Sequence, residues 1–422
     1  MSTSGAVVVI GQGYVGLPLA MRAVEAGYDV IGLDADAGRV KRLGSGQSYV
    51  EDISDEEVAA AVATGRYRAT TDYADCAGFS VAVVTVPTPL REGTPDLSHI
   101  EESVRALAPQ LTAGATVVLE STTYPGTTEE LVGPLLEEGS GLAVGRDFHL
   151  GYSPERIDPG NPTWRFANTP KVVSGVDAAS LEAVAGFYAS VVERVVPVSS
   201  PAVAETTKLL ENTFRHVNIA LVNELAMFAS DLGIDVWEAI EAASSKPFGF
   251  MPFRPGPGVG GHCLPIDPSY LSWRVKRRLG QSFRFVELAN DVNEHMPDYV
   301  ARRLTAAFNR QRRAVNGSRV LVLGLAYKPN TGDARESPAT VVVERLLGLG
   351  AEVLAADPHV EESHVDARVQ RVDDPVAAAA DVDAVVLVVD HADFPLEDIA
   401  AAARYVLDTR HRLAPAPHVE YL

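Results

Sequence analysis

The chain contains two cysteines, and Cys263 lies in a segment that no helix or central strand could occupy. The 23 residues from Lys246 to Pro268 include six prolines and five glycines. Glycine permits left-handed dihedrals and close backbone approach, and proline stiffens the path between glycines. Asp267 follows Cys263 by four residues. Such a loop can hold a reactive thiol beside a carboxylate. It can equally be a Pro/Gly-rich linker around an incidental cysteine, because a lone cysteine often serves as a small core residue. A second pair is Lys208 and Asn212, four residues apart and so on one helical face, with Glu205, Arg215, Ile219 and Asn223 close to that face. These side chains form either a solvated stripe or a set of hydrogen-bond donors turned into a cleft.

The elements that position these residues can be read from periodicity and punctuation. Ala6 to Ile10 is an apolar run expected to form a buried parallel strand. Gly11-Gln-Gly13-Tyr14-Val15-Gly16 follows at once, then a helix from Leu17 to Ala26, a strand from Asp29 to Leu33, and Asp34. This is the dinucleotide fingerprint in its full strand, GxGxxG, helix, strand, acid context. The first glycine makes the turn, the second admits the pyrophosphate and the third lets helix and strand pack, while the helix N-terminus faces the phosphates. Asp34 should bond the ribose hydroxyls and favour NAD over NADP, although Arg39 nearby could accept a 2′-phosphate.

Strand and helix continue to alternate. Strands at Phe79 to Val86, Thr116 to Glu120 and His149 to Tyr152 end in turns carrying Thr88, Ser121-Thr122 and Ser153-Pro154-Glu155-Arg156. Ligands of doubly wound sheets bind at such carboxyl ends, although hydroxyls there can also simply cap the next helix. Ala202 to Leu232, preceded by Ser200-Pro201, has no breaker before Gly233 and should form one long helix of about 45 Å, suited to a central spine or dimer interface. Helices are expected at Asp235 to Ser245, Pro268 to Trp273, Phe285 to His295 and Asp298 to Phe308. A second α/β unit begins after Asn316-Gly317, with strands at Arg319 to Gly324, Glu352 to Ala356, Val382 to Val389 and Tyr405 to Asp408 and a helix starting near Ser337. Lys328 and Arg335 give this unit local positive charge suited to phosphates. The expected architecture is two Rossmann-like doubly wound parallel-sheet domains, residues 1–198 and 313–422, joined by a helical region at 199–312 with one spine helix.

The bulk numbers narrow the function class. A net charge of −20 argues against nucleic acid or an anionic membrane as partner. Only six lysines occur, so a lysine inside a motif stands out against the arginine used elsewhere. The apolar runs are of strand length, no secretory leader is visible, and two distant cysteines suggest no disulfide framework. A cytoplasmic location and no metal centre are expected.

Together the motifs resemble the nucleotide-sugar 6-dehydrogenase family, which includes UDP-glucose, GDP-mannose and UDP-N-acetylhexosamine 6-dehydrogenases. The resemblance rests on Gly11-x-Gly13-x-x-Gly16, Val86-Pro-Thr88-Pro, Ser121-Thr122, Ser153-Pro-Glu155, Lys208-x-x-x-Asn212, Gly260-Gly-His-Cys263-Leu-Pro-Ile-Asp267 and Lys328-Pro-Asn-Thr-Gly-Asp-Ala-Arg335-Glu-Ser, in family order over nearly the whole chain. It implies an NAD-dependent four-electron oxidation of a sugar C6 alcohol to a carboxylate by a homodimer or larger homo-oligomer built on the long helix. It implies that Cys263 is the nucleophile, that Lys208 and Asn212 stabilise oxyanions at C6, and that Asp267, Thr122 and Glu155 handle water and protons. By the same resemblance Gly11, Gly13, Tyr14, Val15, Gly16, Asp34, Arg39, Thr88, Ser121, Thr122, Glu155 and Arg335 are candidates for NAD binding. Glu155, Arg156, Lys208, Asn212, Phe250, Arg254, Gly260 and Lys328 are candidates for the nucleotide sugar.

Two departures bear on the sugar. UDP-glucose members usually carry a second glutamate four residues after the one matching Glu155, where this chain has Pro159, with Asp158 beside it. They also carry an Arg-Ile-Gly turn before the catalytic cysteine, where this chain reads Lys246-Pro247-Phe248-Gly249. Both features resemble the UDP-N-acetylhexosamine branch, with UDP-glucose close behind and dTDP-glucose as an alternative. The rival readings are a two-electron hydroxyacid dehydrogenase and a non-catalytic nucleotide-sugar sensor. The first does not explain the cysteine loop or the second nucleotide-type domain.

Overall fold

The structure, a computed structural model, describes residues 5–91, 93–158, 161, 163–261, 264–361 and 365–422. The chain divides into two compact units, Met1–Glu211 with Ser269–Gly280, and Asn212–Pro268 with Gln281–Leu422. Residues 199–312 are shared between them. Among the described residues no helix is long and apolar enough to cross a membrane.

The first unit is built on strands β1 (Val7–Ile10), β2 (Val30–Leu33), β3 (Tyr67–Thr70), β4 (Val81–Val84), β7 (Thr116–Leu119), β8 (His149–Tyr152), β9 (Lys171–Gly175) and β10 (Val195–Pro197), in the order β10-β9-β8-β7-β4-β1-β2-β3. A short antiparallel pair, β5 (Leu90–Arg91) and β6 (Thr94–Pro95), stands apart from this sheet. β1 to β4, β7 and β8 pair in parallel, and β9 meets β8 antiparallel through Gly151 and Tyr152 against Ser174 and Gly175. β1 is almost wholly apolar and at most 1% exposed, as expected of a strand covered on both faces. Its strand order reverses beside β1, which creates the crevice where a doubly wound sheet binds ligands.

The second unit has the parallel sheet β13-β12-β11-β14-β15-β16, formed by β11 (Arg319–Leu323), β12 (Glu352–Ala356), β13 (Gln370–Arg371), β14 (Ala384–Leu387), β15 (Val406–Asp408) and β16 (Val419–Tyr421). Apolar side chains pack on both of its faces. The Pro338–Gly348 helix starts where the sequence indicates, with the Ser337 hydroxyl accepting from the Ala339 amide.

The long helix runs from Pro201 to Leu232, 32 residues, and the Ser200 hydroxyl accepts from the Val203 amide at its start. The next helices are Val236–Ser244, Asp267–Leu279, Arg284–Glu294 and Met296–Arg310. One boundary differs from the sequence reading by more than two residues. The helix expected from Pro268 to Trp273 opens at Asp267 and continues to Leu279. Pro268 is no obstacle there, because proline is well suited to the first turn of a helix.

Candidate active site

The fingerprint turn has the shape an NAD pyrophosphate needs. Gly11 has φ +92°, and a side chain there would meet the Thr85 carbonyl oxygen at 2.9 Å. A methyl group on Gly16 would overlap the Gly11 carbonyl, so helix and turn can pack only with glycine at both places. Above Gly13 there is open space. The Gly16–Glu25 helix begins at Val15 with no side-chain cap and no acidic residue in its first turn, which leaves its positive end suited to phosphate. Tyr14 lies between these glycines, partly buried.

Asp34 ends β2 with 6% exposure. Its Oδ2 accepts from the Gln12 amide at 2.8 Å, its Oδ1 from the Asp36 amide at 2.9 Å, and Arg39 lies 3.6 Å away. The acid therefore braces the glycine turn while still offering lone pairs to a ribose. Gln12 was not singled out in the sequence, yet it also accepts from the Tyr67 hydroxyl, and its carbonyl accepts from Tyr49.

The hydroxyl-rich turns are anchored from below. The Ser121 hydroxyl donates to the Val86 carbonyl at 2.7 Å, and the Tyr270 hydroxyl donates to the Thr88 carbonyl at 2.7 Å. Glu205, fully buried on the long helix, accepts from the amides of Gly126 and Thr128 and from the Thr128 hydroxyl. This fixes the turn that carries Thr122, which is half-buried.

Glu155 is 8% exposed, and its Oε1 accepts from the Arg156 amide at 2.6 Å and from the Ile157 amide. Burial pushes its carboxyl up, but Lys171, Glu120, the Ile157 amide and Lys208 outweigh that and hold it below the usual carboxylate range. Lys208 is 7% exposed, so the solvated-stripe reading does not apply to it. Arg156 is committed to neighbours: it grips Glu211 at 2.6 Å and donates to the Pro170 carbonyl, on one side of a cleft that Trp164 and Thr169 also line. Lys171, Glu120 and Tyr188, which pack behind Glu155, carry no motif and were missed in the sequence.

In the second unit the long helix holds the glycine-rich loop at two points. Asn212 donates to Asp267 Oδ2 at 2.6 Å, and Asn223 Oδ1 accepts from the Gly256 amide at 2.9 Å. Asn212 and Asn223 are three helical turns apart and so share a face. In the sequence, Gly260 and Cys263 fall between Gly256 and Asp267. A side chain at Gly260 would come within 2.7 Å of the Glu336 carbonyl and of Pro338, so the loop backbone lies directly on the turn that carries Lys328 and Arg335. His262 and Cys263 lie outside the described residues.

That turn is itself constrained. Asn330 and Glu336 have φ of +59° and +50°, uncommon for residues with a side chain. Asp357, at the end of β12, takes the position that Asp34 has in the first unit. It accepts from the Leu325 amide at 2.6 Å and from His391 Nε2 at 3.0 Å, while His391 Nδ1 accepts from the Asn330 amide at 3.0 Å. Lys328 lies over the Tyr327 ring, and Arg335 pairs with Asp333 at 2.5 Å. Phe250 is 41% exposed and Arg254 pairs at the surface with Glu241. Arg410, unremarked in the sequence, follows β15. Its Nε donates to the Val388 carbonyl, and its guanidinium lies against Gly256.

Residues 5–192 match the NAD binding domain of the UDP-glucose/GDP-mannose dehydrogenase family, 202–295 its central domain and 321–415 its UDP binding domain. The chain belongs to this family. As a UDP-glucose/GDP-mannose dehydrogenase family member it is an NAD-dependent oxidoreductase. It is 35% identical over 417 residues to the UDP-N-acetyl-D-mannosamine dehydrogenase of Pyrococcus horikoshii, covering 97% of this chain and 96% of that one. It is 37% identical over 394 residues to the UDP-N-acetyl-D-glucosamine 6-dehydrogenase of Pseudomonas aeruginosa, covering 92% and 91%. The structure of the Pyrococcus horikoshii UDP-D-ManNAc dehydrogenase superposes with a TM-score of 0.89 at 34% identity, covering 99% of this chain and 98% of that one.

Proposed function

We propose that this family member oxidises the C6 alcohol of a UDP-N-acetylhexosamine, UDP-N-acetylmannosamine or UDP-N-acetylglucosamine, to the uronic acid through a thioester on Cys263. The likeness to dehydrogenases named for these two sugars supports the substrate. The observation that carries the mechanism is the loop from Gly256 to Asp267. It is held by Asn223 and Asn212 at its ends and packed on the Lys328 turn at Gly260, as a segment presenting a nucleophile must be.

The balance is R–CH2OH + 2 NAD+ + H2O → R–COO− + 2 NADH + 3 H+. Bound NAD supplies a hydride acceptor, which the Gly11 to Gly16 turn and Asp34 hold. After the first hydride leaves C6, the Cys263 thiolate adds to the aldehyde carbon and forms a C–S bond. The thiohemiacetal gives up its hydride to become a thioester. Water then adds at that carbon and the C–S bond breaks, releasing the acid and regenerating the thiolate. Lys208 and Asn212 donate to the oxygen that gains charge at C6. Glu155, kept ionised, takes a proton from water or alcohol, with Thr122 beside it, and Asp267 orients Asn212 and water. Lys328 and Arg410 supply cations to the diphosphate. Phe250 and Arg254, in the loop half that departs from the UDP-glucose pattern, select the sugar.

Leu221, Leu225, Phe228 and Leu232 on the long helix are 46% to 73% exposed at spacings of four, three and four. This apolar seam supports a homodimer formed along the helix. The test of the substrate is NADH formation with UDP-N-acetylglucosamine, UDP-N-acetylmannosamine, UDP-glucose and dTDP-glucose. Turnover is expected with an N-acetylhexosamine, and failure with both N-acetyl sugars would overturn the reading.

A further inference from the structure

Behind the Glu155 turn lies a buried cluster that the reaction scheme above does not use. Glu120, at the end of β7, is 0% exposed, and Lys171, at the start of β9, is 4% exposed. The Lys171 ammonium bonds Glu120 Oε1 and lies 3.4 Å from Glu155 Oε2. The Tyr188 hydroxyl, from the Ala178–Val191 helix, donates to Glu120 Oε2 at 2.6 Å. The rings of Phe166 and Tyr188 cover the ammonium at 5.3 and 5.4 Å.

A buried ion pair is a poor source of stability, because desolvation consumes most of its attraction and an apolar replacement is often neutral. Two carboxylates around one lysine make the balance worse. The arrangement has a direction, however. Glu120 and Tyr188 secure the lysine from behind, and the remaining side of the ammonium faces Glu155, whose other oxygen is fixed by backbone amides.

We propose that Lys171, anchored by Glu120 and Tyr188, is a positioning residue that holds the Glu155 carboxylate in one orientation and in its ionised form for proton transfer. The inference rests on the reading of Glu155 as a proton-handling group. The groups facing Glu155 are Lys171 from β9, Glu120 from β7 and Lys208 from the long helix, while the Arg156 guanidinium turns away to Glu211. Burial pushes Glu120 up to about 7, only partly countered by Lys171, whereas Glu155 is held low. Two carboxyl groups around one lysine are thus driven to opposite sides of their ordinary value, which is how a site keeps one acid protonated and its neighbour ionised.

The test is the pH dependence of kcat for the whole enzyme with its UDP-N-acetylhexosamine and NAD, in Lys171→Met, Lys171→Arg and Glu155→Gln, with thermal unfolding recorded for each. Removing the ammonium raises the Glu155 carboxyl, so Lys171→Met should move the acidic limb of the profile upward by about one pH unit or more. The KM for NAD should not change, and Lys171→Arg should return the limb toward its original place. If Lys171→Met does not fold, the pair Glu120→Gln/Lys171→Met, whose amide keeps the uncharged form of Glu120, should show the same upward shift. An unmoved limb, with Glu155→Gln inactive, overturns the role of Lys171 and leaves that of Glu155 intact. An active Glu155→Gln instead overturns the Glu155 reading itself.

Discussion

Asn212 donates to Asp267 Oδ2 at 2.6 Å, joining the long helix to the residue that closes the cysteine loop, with both side chains at most 5% exposed. A buried bond to a carboxylate contributes about 1.5–3 kcal/mol. Asn212→Ala should therefore lower unfolding stability by about that much in urea titration. If Asn212 also serves the C6 oxygen, its kcat should fall well beyond what the lost folded fraction explains.

Lys208 is buried in the first unit within electrostatic reach of Glu155. Lys208→Ala should reduce kcat by about 10²–10³-fold, the usual cost of one oxyanion donor. The KM for NAD should change little. An unaltered kcat in steady-state assays would make Lys208 a structural cation.

Asp34 braces the Gln12 amide and places negative charge where a 2′-phosphate would sit. Asp34→Ser should narrow the preference for NAD over NADP by about tenfold or more, since like charges juxtaposed in a binding site cost several kcal/mol. Arg39, 3.6 Å from Asp34, is then released to meet the phosphate. The ratio of kcat/KM for the two cofactors reads this out.

Burial pushes the Asp357 carboxyl up, but His391 and the amides of Leu325, His359 and Val360 hold it well below the ordinary carboxylate range. Its value is lower folded than unfolded. Its contribution to stability is therefore complete above about pH 4 and is lost as pH falls toward the folded value. Asp357→Asn should flatten the acid side of the stability curve, measured by denaturant titration from pH 7 downward, and leave the alkaline side unchanged.

The sequence revealed the elements with local signatures. The Gly11 to Asp34 fingerprint, the long helix and the two α/β units follow from periodicity and glycine placement. It revealed less where a residue's role depends on a distant partner. Lys171 looked like an ordinary strand residue because Glu120 and Glu155 are 51 and 16 positions away. Gln12, Tyr270, His391 and Arg410 escaped for the same reason. The helix start near Pro268 was legible, because proline suits the first turn of a helix. The polar stretch Arg274 to Arg278 then hid how far that helix runs.

Cys76, the other cysteine, is fully buried, and burial pushes its thiol up to about 11. Alkylation of the folded enzyme at neutral pH should therefore label Cys263 and spare Cys76, as read by peptide mass spectrometry.

The central claim is a four-electron oxidation through a cysteine thioester, and the number of NADH molecules formed per molecule of UDP-sugar consumed tests it most directly. Two NADH and a uronic acid are expected from the native enzyme, with no uronic acid from Cys263→Ala. One NADH per sugar with an aldehyde product, or full uronic acid production by Cys263→Ala, would contradict it.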